Sequence, residues 1–153
     1  MGNIVQDWII DYLRTEQSSL SVELQEVREQ SEAENIPIIE PEVGNFLKLL
    51  VNIHQPDNIL ELGTAYGYST LWLAQDFSGQ IVTVELKDRD AEVAAENFAE
   101  LGYDNIELVV GDALEVMPDL EQEFDFIFID AAKGQYMRFL EQGLELISEG
   151  GLI

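Results

Sequence analysis

From Pro56 onward, short apolar runs alternate with helical patterns, and this alternation constrains the fold more than any other feature of the sequence. Strands are predicted at 58–62, 80–86, 106–110 and 124–129, and a further strand is predicted to begin at Gly150. Helices are predicted at 69–76, 90–101 and 135–147, with a shorter helical stretch at 114–120. Strands that alternate with helices pair in parallel through crossover connections. Residues 56–153 are therefore expected to form an α/β fold with a doubly wound parallel sheet.

Residues 1–55 are predicted to form helices that pack on this core as part of the same domain. Apolar residues of 1–13 recur at helical spacing, and a weaker second helix follows, for which Ser19 or Ser21 is the candidate N-cap. The segment 36–41 contains two prolines and is predicted to be an extended connector. A third helix is predicted from about Glu42 to Ile53.

The charge of the chain is far from balanced, with 7 basic against 31 acidic residues and a formal net charge of −24. The excess is spread along the whole sequence, so it is not an acidic tail. A surface coated in carboxylates stays hydrated in concentrated salt, where its self-repulsion is screened. We therefore favour adaptation to high salt over a specific cationic partner. The sequence has no basic stripe to neutralise phosphates, which argues against nucleic acid as a partner.

Composition also bears on the compartment. The uncharged apolar stretches are much shorter than the roughly 18 residues that a membrane span needs, so no membrane association is expected. The chain has no cysteine, which excludes a disulfide framework and a thiolate zinc site. Residues 1–13 do not resemble a signal peptide. These features together favour a cytoplasmic protein.

The ends of the first three predicted strands carry a pattern that suggests a nucleoside ligand. In doubly wound sheets, ligands bind beyond the carboxyl ends of the strands. Gly63 and Gly67 follow the first strand, and two glycines at this spacing allow a close approach of the backbone. They do not form the G-x-G-x-x-G sequence that binds a pyrophosphate. A nucleoside without phosphates therefore suits this loop better.

Acidic residues after the next two strands extend the pattern. Glu85 ends the second strand, where a carboxylate accepts hydrogen bonds from ribose hydroxyls. Asp112 follows the third strand, where it could accept from an adenine amino group while Ala113 leaves room for the base. Together these residues suggest S-adenosylmethionine. The alternative for each residue alone is an ordinary turn glycine or a surface acid.

The fourth strand ends in Asp130, and Lys133 follows it three residues later. A carboxylate at this rim is a candidate ligand for a hard cation. A lysine beside a divalent cation is pushed toward its neutral form and can take a proton from a hydroxyl. The alternative is a helix-start aspartate with a solvated lysine. His54 is interpreted as a helix-end residue, and Tyr66 and Tyr68 as packing residues in preference to ligand-stacking ones.

Two segments resemble the cation-dependent O-methyltransferase family: 59–70 (ILELGTAYGYST) and 126–136 (FIFIDAAKGQY). That family includes catechol and caffeoyl-CoA O-methyltransferases and the bacterial enzymes that methylate 5-hydroxyuridine in tRNA. Residues 36–39 also resemble the connector of the bacterial members. The resemblance implies a Rossmann-like, class I methyltransferase fold with N-terminal helices.

The resemblance also implies roles for individual residues. Lys133 would be the general base, and Asp130 would bind a divalent metal, usually magnesium, close to the cofactor. A homodimer is expected because the family is often dimeric. The residues expected to contact S-adenosylmethionine are Ile39, Glu61, Gly63, Ser69, Glu85, Asp112, Ala113 and Asp130.

The sequence departs from the family pattern near Ile153, because the family's fifth strand continues into an Asp-Asn pair that completes the metal site. The last strands of the family sheet are absent as well, so we expect a truncated chain that binds cofactor weakly and does not turn over.

For the whole protein, the favoured reaction is methylation of a small catechol-like acceptor. The alternatives are tRNA wobble-uridine methylation and a non-catalytic cofactor-binding module, with an NAD dehydrogenase a distant fourth.

Overall fold

A computed structural model describes residues 6, 8, 9, 12 and 21–153. These residues form a parallel sheet with strands β1 (Asn58–Leu62), β2 (Gln80–Glu85), β3 (Ile106–Val110), β4 (Phe124–Ile129) and β5 (Ile147–Leu152). The order across the sheet is β3-β2-β1-β4-β5, so the chain first moves outward from β1 and then returns to its other side. Such a reversal leaves a crevice between β1 and β4, where sheets of this kind bind ligands. The predicted Rossmann-like fold is therefore confirmed.

Helices lie before the sheet and between its strands. They are α1 (Val22–Ala33), α2 (Pro41–His54), α3 (Tyr68–Ala74), α4 (Asp88–Glu100), α5 (Ala113–Val116) and α6 (Tyr136–Leu146). Short 3₁₀ turns occupy Met117–Asp119 and Lys133–Gln135. The helix predicted within 1–13 falls mostly outside the described residues. Among the described residues, none of the helices combines the length and the hydropathy that crossing a bilayer would require.

Local sequence explains how the two N-terminal helices begin and end. Ser21 caps α1 by accepting a hydrogen bond from the backbone N–H of Leu24, at 3.3 Å. Pro41 begins α2, where its missing N–H is not needed. Gln55 ends α2 in the left-handed conformation. His54 lies at the last position of α2, as predicted, and its Nε2 is 2.9 Å from the carbonyl oxygen of Asp125.

The core lies on both faces of the sheet. All residues of β1 after Asn58 and all of β2 after Gln80 are buried, as expected for central strands covered on both sides. Leu47 and Val51 of α2 belong to the same apolar cluster as Ile59 of β1. Leu24 and Val27 of α1 belong to a second cluster with Leu71 and Trp72 of α3, so α2 packs on the sheet and α1 packs on α3.

The last strand begins earlier than the sequence predicts. The hydropathy pattern extends the final helix to Ile147 and starts a strand at Gly150, but Ile147 already pairs with Phe124 of β4. The next pair is Phe126 with Leu152, so four residues of β5 stand opposite one residue of β4. Gly150 adopts φ +87° inside this irregularity. The glycine pair therefore marks a bulge in the strand.

Candidate functional site

A cavity of about 390 Å³ opens at the carboxyl ends of β1 to β4. This volume is within the range of small-molecule sites, about 300 to 1,000 Å³. Seven of the eight residues predicted to contact a cofactor line it: Ile39, Gly63, Ser69, Glu85, Asp112, Ala113 and Asp130. The structure thus brings together residues from the loops after four strands and from the connector before α2. Glu61 and Lys133 are outside the lining.

The loop after β1 approaches the loop after β4 so closely that only glycine fits. Gly63 has φ +101°, and a Cβ atom there would lie 2.9 Å from the carbonyl oxygen of Asp130. Gly67 has φ +88°, and a Cβ atom there would lie 2.4 Å from the ring of Phe98 in α4. The two glycines therefore allow close approaches that a side chain would block, and Gly63 itself lines the cavity.

Glu85 is held rigidly at the end of β2. Its side chain is almost fully buried, and Oε2 accepts a hydrogen bond from the backbone N–H of Ala65 at 2.8 Å. Oε1 accepts another from the backbone N–H of Lys87 at 3.0 Å. A carboxylate has about four acceptor positions, so the group retains the capacity to accept two further bonds from a ligand. This capacity suits a pair of vicinal hydroxyls.

Asp112 and Ala113 form the wall beyond β3. Asp112 is the N-cap of α5, where Oδ1 accepts a hydrogen bond from the backbone N–H of Leu114 at 2.9 Å. The cap uses one of its two carboxylate oxygens, and the residue lines the cavity. Ala113 is buried beside it and also lines the cavity with its small side chain.

Glu61 lies beneath the cavity and does not line it. Its carboxyl group is fully buried and accepts hydrogen bonds from the hydroxyls of Ser69, Thr70 and Thr83, at 2.6, 2.5 and 2.7 Å. Burial raises the pKa of Glu61 to about 7, although the three hydroxyl donors oppose this shift. Any influence of Glu61 on a ligand therefore passes through its neighbours, and one of them, Ser69, does line the cavity.

Asp130 lies at the mouth of the cavity, and Lys133 lies beyond it. Partial burial raises the pKa of Asp130, and the positive charge of Lys133 opposes that rise. Lys133 is exposed to solvent at the start of a 3₁₀ turn. The charge of Lys133 therefore affects the pKa of Asp130, but Lys133 does not line the cavity.

The described residues do not assemble a metal site. Within 21–153 and the few described residues before them, no group of three or more His, Cys, Asp or Glu side chains is arranged to hold a metal ion. Magnesium prefers six oxygen ligands in near-octahedral geometry. Asp130 alone is a poor fit to that requirement.

Tyr68 is a functional candidate that the sequence does not separate from packing residues. It is buried, lines the cavity, and packs edge-on against Trp72 with 6.4 Å between the ring centroids. The Tyr68 side chain therefore belongs both to the packed core and to the cavity lining.

The cavity has other lining residues that the sequence does not single out. They lie after strand ends or just before α6: Thr64, Ala65, Leu86, Lys87, Ala131, Ala132 and Gln135. For all of them except Gln135, the position after a strand is the sequence signal that would have identified them.

Comparison with known protein families gives one consistent answer. The family described as O-methyltransferase matches residues 13–153. A catechol O-methyltransferase of Niastella koreensis is 38% identical over 122 residues, which are 75% of this chain and 55% of the relative. A catechol O-methyltransferase of Mycobacterium tuberculosis is 37% identical over 129 residues, which are 80% of this chain and 59% of the relative. The chain thus spans little more than half the length of these relatives.

Solved structures agree with the sequence comparison. An O-methyltransferase from Bacillus cereus, in complex with SAH, has a TM-score of 0.86 and 35% identity over 92% of this chain and 68% of that chain. The O-methyltransferase TomG from Streptomyces achromogenes, in complex with SAM, has a TM-score of 0.85 and 30% identity over 92% of this chain and 67% of that chain. The likeness extends over nearly the whole chain in both sequence and fold.

Proposed function

The chain belongs to the O-methyltransferase family, and from this premise we propose that its cavity binds S-adenosylmethionine and that the whole protein methylates a hydroxyl oxygen of a small catechol-like acceptor. One observation carries the proposal: the Gly63 loop, the Glu85 carboxylate and the Asp112–Ala113 turn meet in one cavity. The catechol O-methyltransferases among the relatives support the acceptor class. The structural relatives in complex with SAH and SAM support the cofactor.

The hydrogen-bond acceptors around the cavity fit an adenosine compound. Glu85 keeps two acceptor positions for the ribose hydroxyls, and Asp112 has a further oxygen for an adenine amino group. The strands lie in the order β3-β2-β1-β4, so we expect the adenine above β3, the ribose above β2 and the methionine part above β1. The reactive methyl group would then face the loop that begins at Asp130.

The cofactor would supply an electrophilic methyl group on a sulfonium sulfur. In the transfer, the acceptor oxygen loses its proton and bonds to the methyl carbon while the carbon–sulfur bond breaks and its electron pair stays on sulfur. We propose Lys133 as the residue that takes the proton, since it is close enough to Asp130 at the cavity mouth to affect the charge there. The cavity wall would contribute mainly by holding the two reactants in line.

Metal dependence is a separate proposal for the whole protein. Asp130 offers one carboxylate, and the described residues provide no cluster to complete a divalent site. We therefore expect this chain by itself to bind the cofactor without a metal requirement and to be inactive in transfer. Magnesium dependence of the whole protein would require ligands besides those of the described residues.

Methylation of tRNA wobble uridine is the second candidate function. Two segments favour it, because the connector 36–39 and the motif 131–136 (AAKGQY) both resemble the bacterial members of the family. The charge opposes it, because phosphates would approach a chain of net charge −24. Several described cations are also already paired with carboxylates: Arg28, Lys48, Lys87 and Arg89.

A non-catalytic cofactor-binding module is the remaining alternative. The homodimer stays a prediction, which sedimentation would test.

Methyl transfer from labelled S-adenosylmethionine by the whole protein tests the proposal. We expect label in a catechol panel, none in bulk tRNA, and loss of transfer in Lys133→Met with unchanged cofactor affinity. Label in tRNA alone would favour the second function, and label in neither would favour the binding module. Calorimetry with S-adenosylhomocysteine tests the cavity separately, since failure to bind would contradict the cofactor assignment itself.

A further inference from the structure

We propose that Glu34 is a positioning residue that holds the connector 36–40 over the cofactor cavity by joining it to Tyr66 and Arg89. This inference rests on the proposed function, because it concerns the cavity assigned to S-adenosylmethionine. It adds a residue that contacts neither the cavity nor the reacting atoms. Its effect would be on how long a ligand stays bound.

The connector forms one wall of the cavity, and its course is set where α1 ends. Asn35 adopts the left-handed conformation with φ +57°, which turns the chain away from the helix axis. The backbone N–H of Ile36 then donates to the carbonyl oxygen of Ser31 at 2.9 Å. The next three residues, 37–39, all line the cavity. A shift at the end of α1 would therefore move this wall directly.

One carboxylate oxygen of Glu34 connects three separate segments at this point. Oε2 accepts a hydrogen bond from the Tyr66 hydroxyl at 2.9 Å and also pairs with the guanidinium of Arg89. Tyr66 belongs to the glycine loop after β1, and Arg89 lies in the first turn of α4. The neighbour of Tyr66, Ala65, donates to the Glu85 carboxylate at 2.8 Å. The connector is thus tied to the same loop that fixes the predicted ribose-binding group.

The position of Glu34 argues for a specific role. A carboxylate at the C-terminal end of a helix is opposed by the helix dipole, and α1 has no basic residue in its last turn. The contacts with Tyr66 and Arg89 offset this unfavourable placement of an acidic residue. Tyr66 has no exposed surface, and its burial and its bond to Glu34 raise the pKa of its hydroxyl, so the hydroxyl remains a donor at neutral pH.

The two contacts of Glu34 should respond differently to salt. The Arg89 side chain is 75% exposed, so its attraction to Glu34 is screened as salt increases. The hydrogen bond to Glu34 from the Tyr66 hydroxyl has a neutral donor on a buried side chain. It does not depend on a second charge, so salt should affect it less. Salt therefore separates the contribution of each partner without further substitutions.

Binding of S-adenosylhomocysteine to this chain provides the test, with Kd and dissociation rate as readouts. We expect Tyr66→Phe to raise Kd about five-fold through faster dissociation at any salt concentration. We expect Arg89→Gln to raise Kd about two-fold in dilute buffer and to match the wild type at about 1 M KCl. Glu34→Ala should combine both effects and increase amide exchange at Ile36, Ile38 and Ile39.

Glu32→Ala is the matched control, because Glu32 is an acidic residue of the same helix whose side chain pairs with Arg28. We expect it to leave Kd and amide exchange unchanged. Wild-type affinity in both Tyr66→Phe and Glu34→Ala would overturn the inference, and so would equal effects in the Glu32 control. If Glu34→Ala does not fold, Tyr66→Phe decides alone. Absence of binding by the wild type would instead contradict the proposed function.

Discussion

Ser69 donates a hydrogen bond to Glu61, with 2.6 Å between Oγ and Oε1, and this bond links a buried carboxyl group to the wall of the cavity. A second link runs from Glu61 through Thr83, whose hydroxyl lies 2.6 Å from that of Thr64. Thr64 also lines the cavity. The ionisation of Glu61, which does not line the cavity, is therefore coupled to the hydroxyls of Ser69 and Thr64, which belong to residues that do.

Glu61 should give the folded protein a distinct pH dependence. Its folded pKa of about 7 lies above the ordinary value of 4.5, so the folded state keeps a proton that the unfolded state has already lost. The free energy of unfolding should therefore decrease as the pH rises from 4.5 to 7, by at most about 3 kcal/mol from this group. Urea unfolding across that range measures the slope.

The Glu61→Gln variant isolates this contribution from the repulsion among surface carboxylates. The amide that replaces the carboxyl group cannot ionise, so the difference in unfolding free energy between wild type and variant should be largest below pH 4.5 and shrink toward pH 7. Parallel curves for the two proteins would show that Glu61 does not titrate in this range.

Replacing Gly63 by alanine should damage both stability and binding. The left-handed φ of +101° and the 2.9 Å approach to the Asp130 carbonyl must both change to admit a Cβ atom. We expect a loss of about 3 kcal/mol in unfolding free energy and weaker binding of S-adenosylhomocysteine. Gly102→Ala is the control, because Gly102 has φ +75° and a Cβ atom there would meet no other atom within 4 Å. It should lose only about 1 kcal/mol and keep its affinity.

Glu85→Ala should weaken binding of S-adenosylhomocysteine more than ten-fold, since a ligand would lose two hydrogen bonds to a charged group, each worth about 1.5 kcal/mol or more. The variant also releases the backbone N–H groups of Ala65 and Lys87. Glu107→Ala, at an exposed position of β3, is the control and should bind normally. Calorimetric titration compares them, and equal affinities would place the ribose elsewhere.

The acidic composition predicts that salt stabilises the fold. If the −24 charge reflects adaptation to high salt, the melting temperature should rise by about 10 °C between dilute buffer and molar KCl. The rise should be smaller near the isoelectric point of about 4.1, where many carboxylates are protonated. A flat response at neutral pH would favour the alternative of a cationic partner.

Magnesium should have no effect on cofactor binding by this chain. Asp130 is the one carboxylate expected to bind metal, and the described residues offer no cluster around it. We expect the same Kd for S-adenosylhomocysteine in magnesium and in EDTA, and no methyl transfer in either. Metal-dependent transfer by this chain would refute the expectation that it is inactive.

Much of the fold can be predicted because its signals are local. The bounds of β1, β3 and β4 agree with the apolar runs, since buried parallel strands read as continuous hydrophobic segments. The predicted start of β5 is wrong because Ser148 and Glu149 lack that signature. Ser148 instead donates to Asp125 at 2.8 Å, a contact with a residue far away in sequence.

The site is predictable to the extent that it follows strand ends. Residues such as Gly63, Glu85 and Asp112 can be found because parallel strands deliver their carboxyl ends to one edge. The prediction that Glu61 contacts the cofactor comes from the family resemblance, which does not distinguish a side chain that faces a ligand from one that lies behind it. Strand alternation turns Glu61 toward Ser69 and Thr83, and only the packed structure shows that it is enclosed.

The sequence by itself determined the parallel α/β fold, the family and the edge of the sheet that carries the cavity, because these depend on hydrophobic periodicity and on short motifs. The tertiary structure alone decided which polar groups face the cavity, how Glu34 reaches Tyr66 and Arg89, and why the charge of Glu61 is suppressed. These properties depend on burial and on contacts between residues tens of positions apart. Such contacts exist only once the helices and strands have packed.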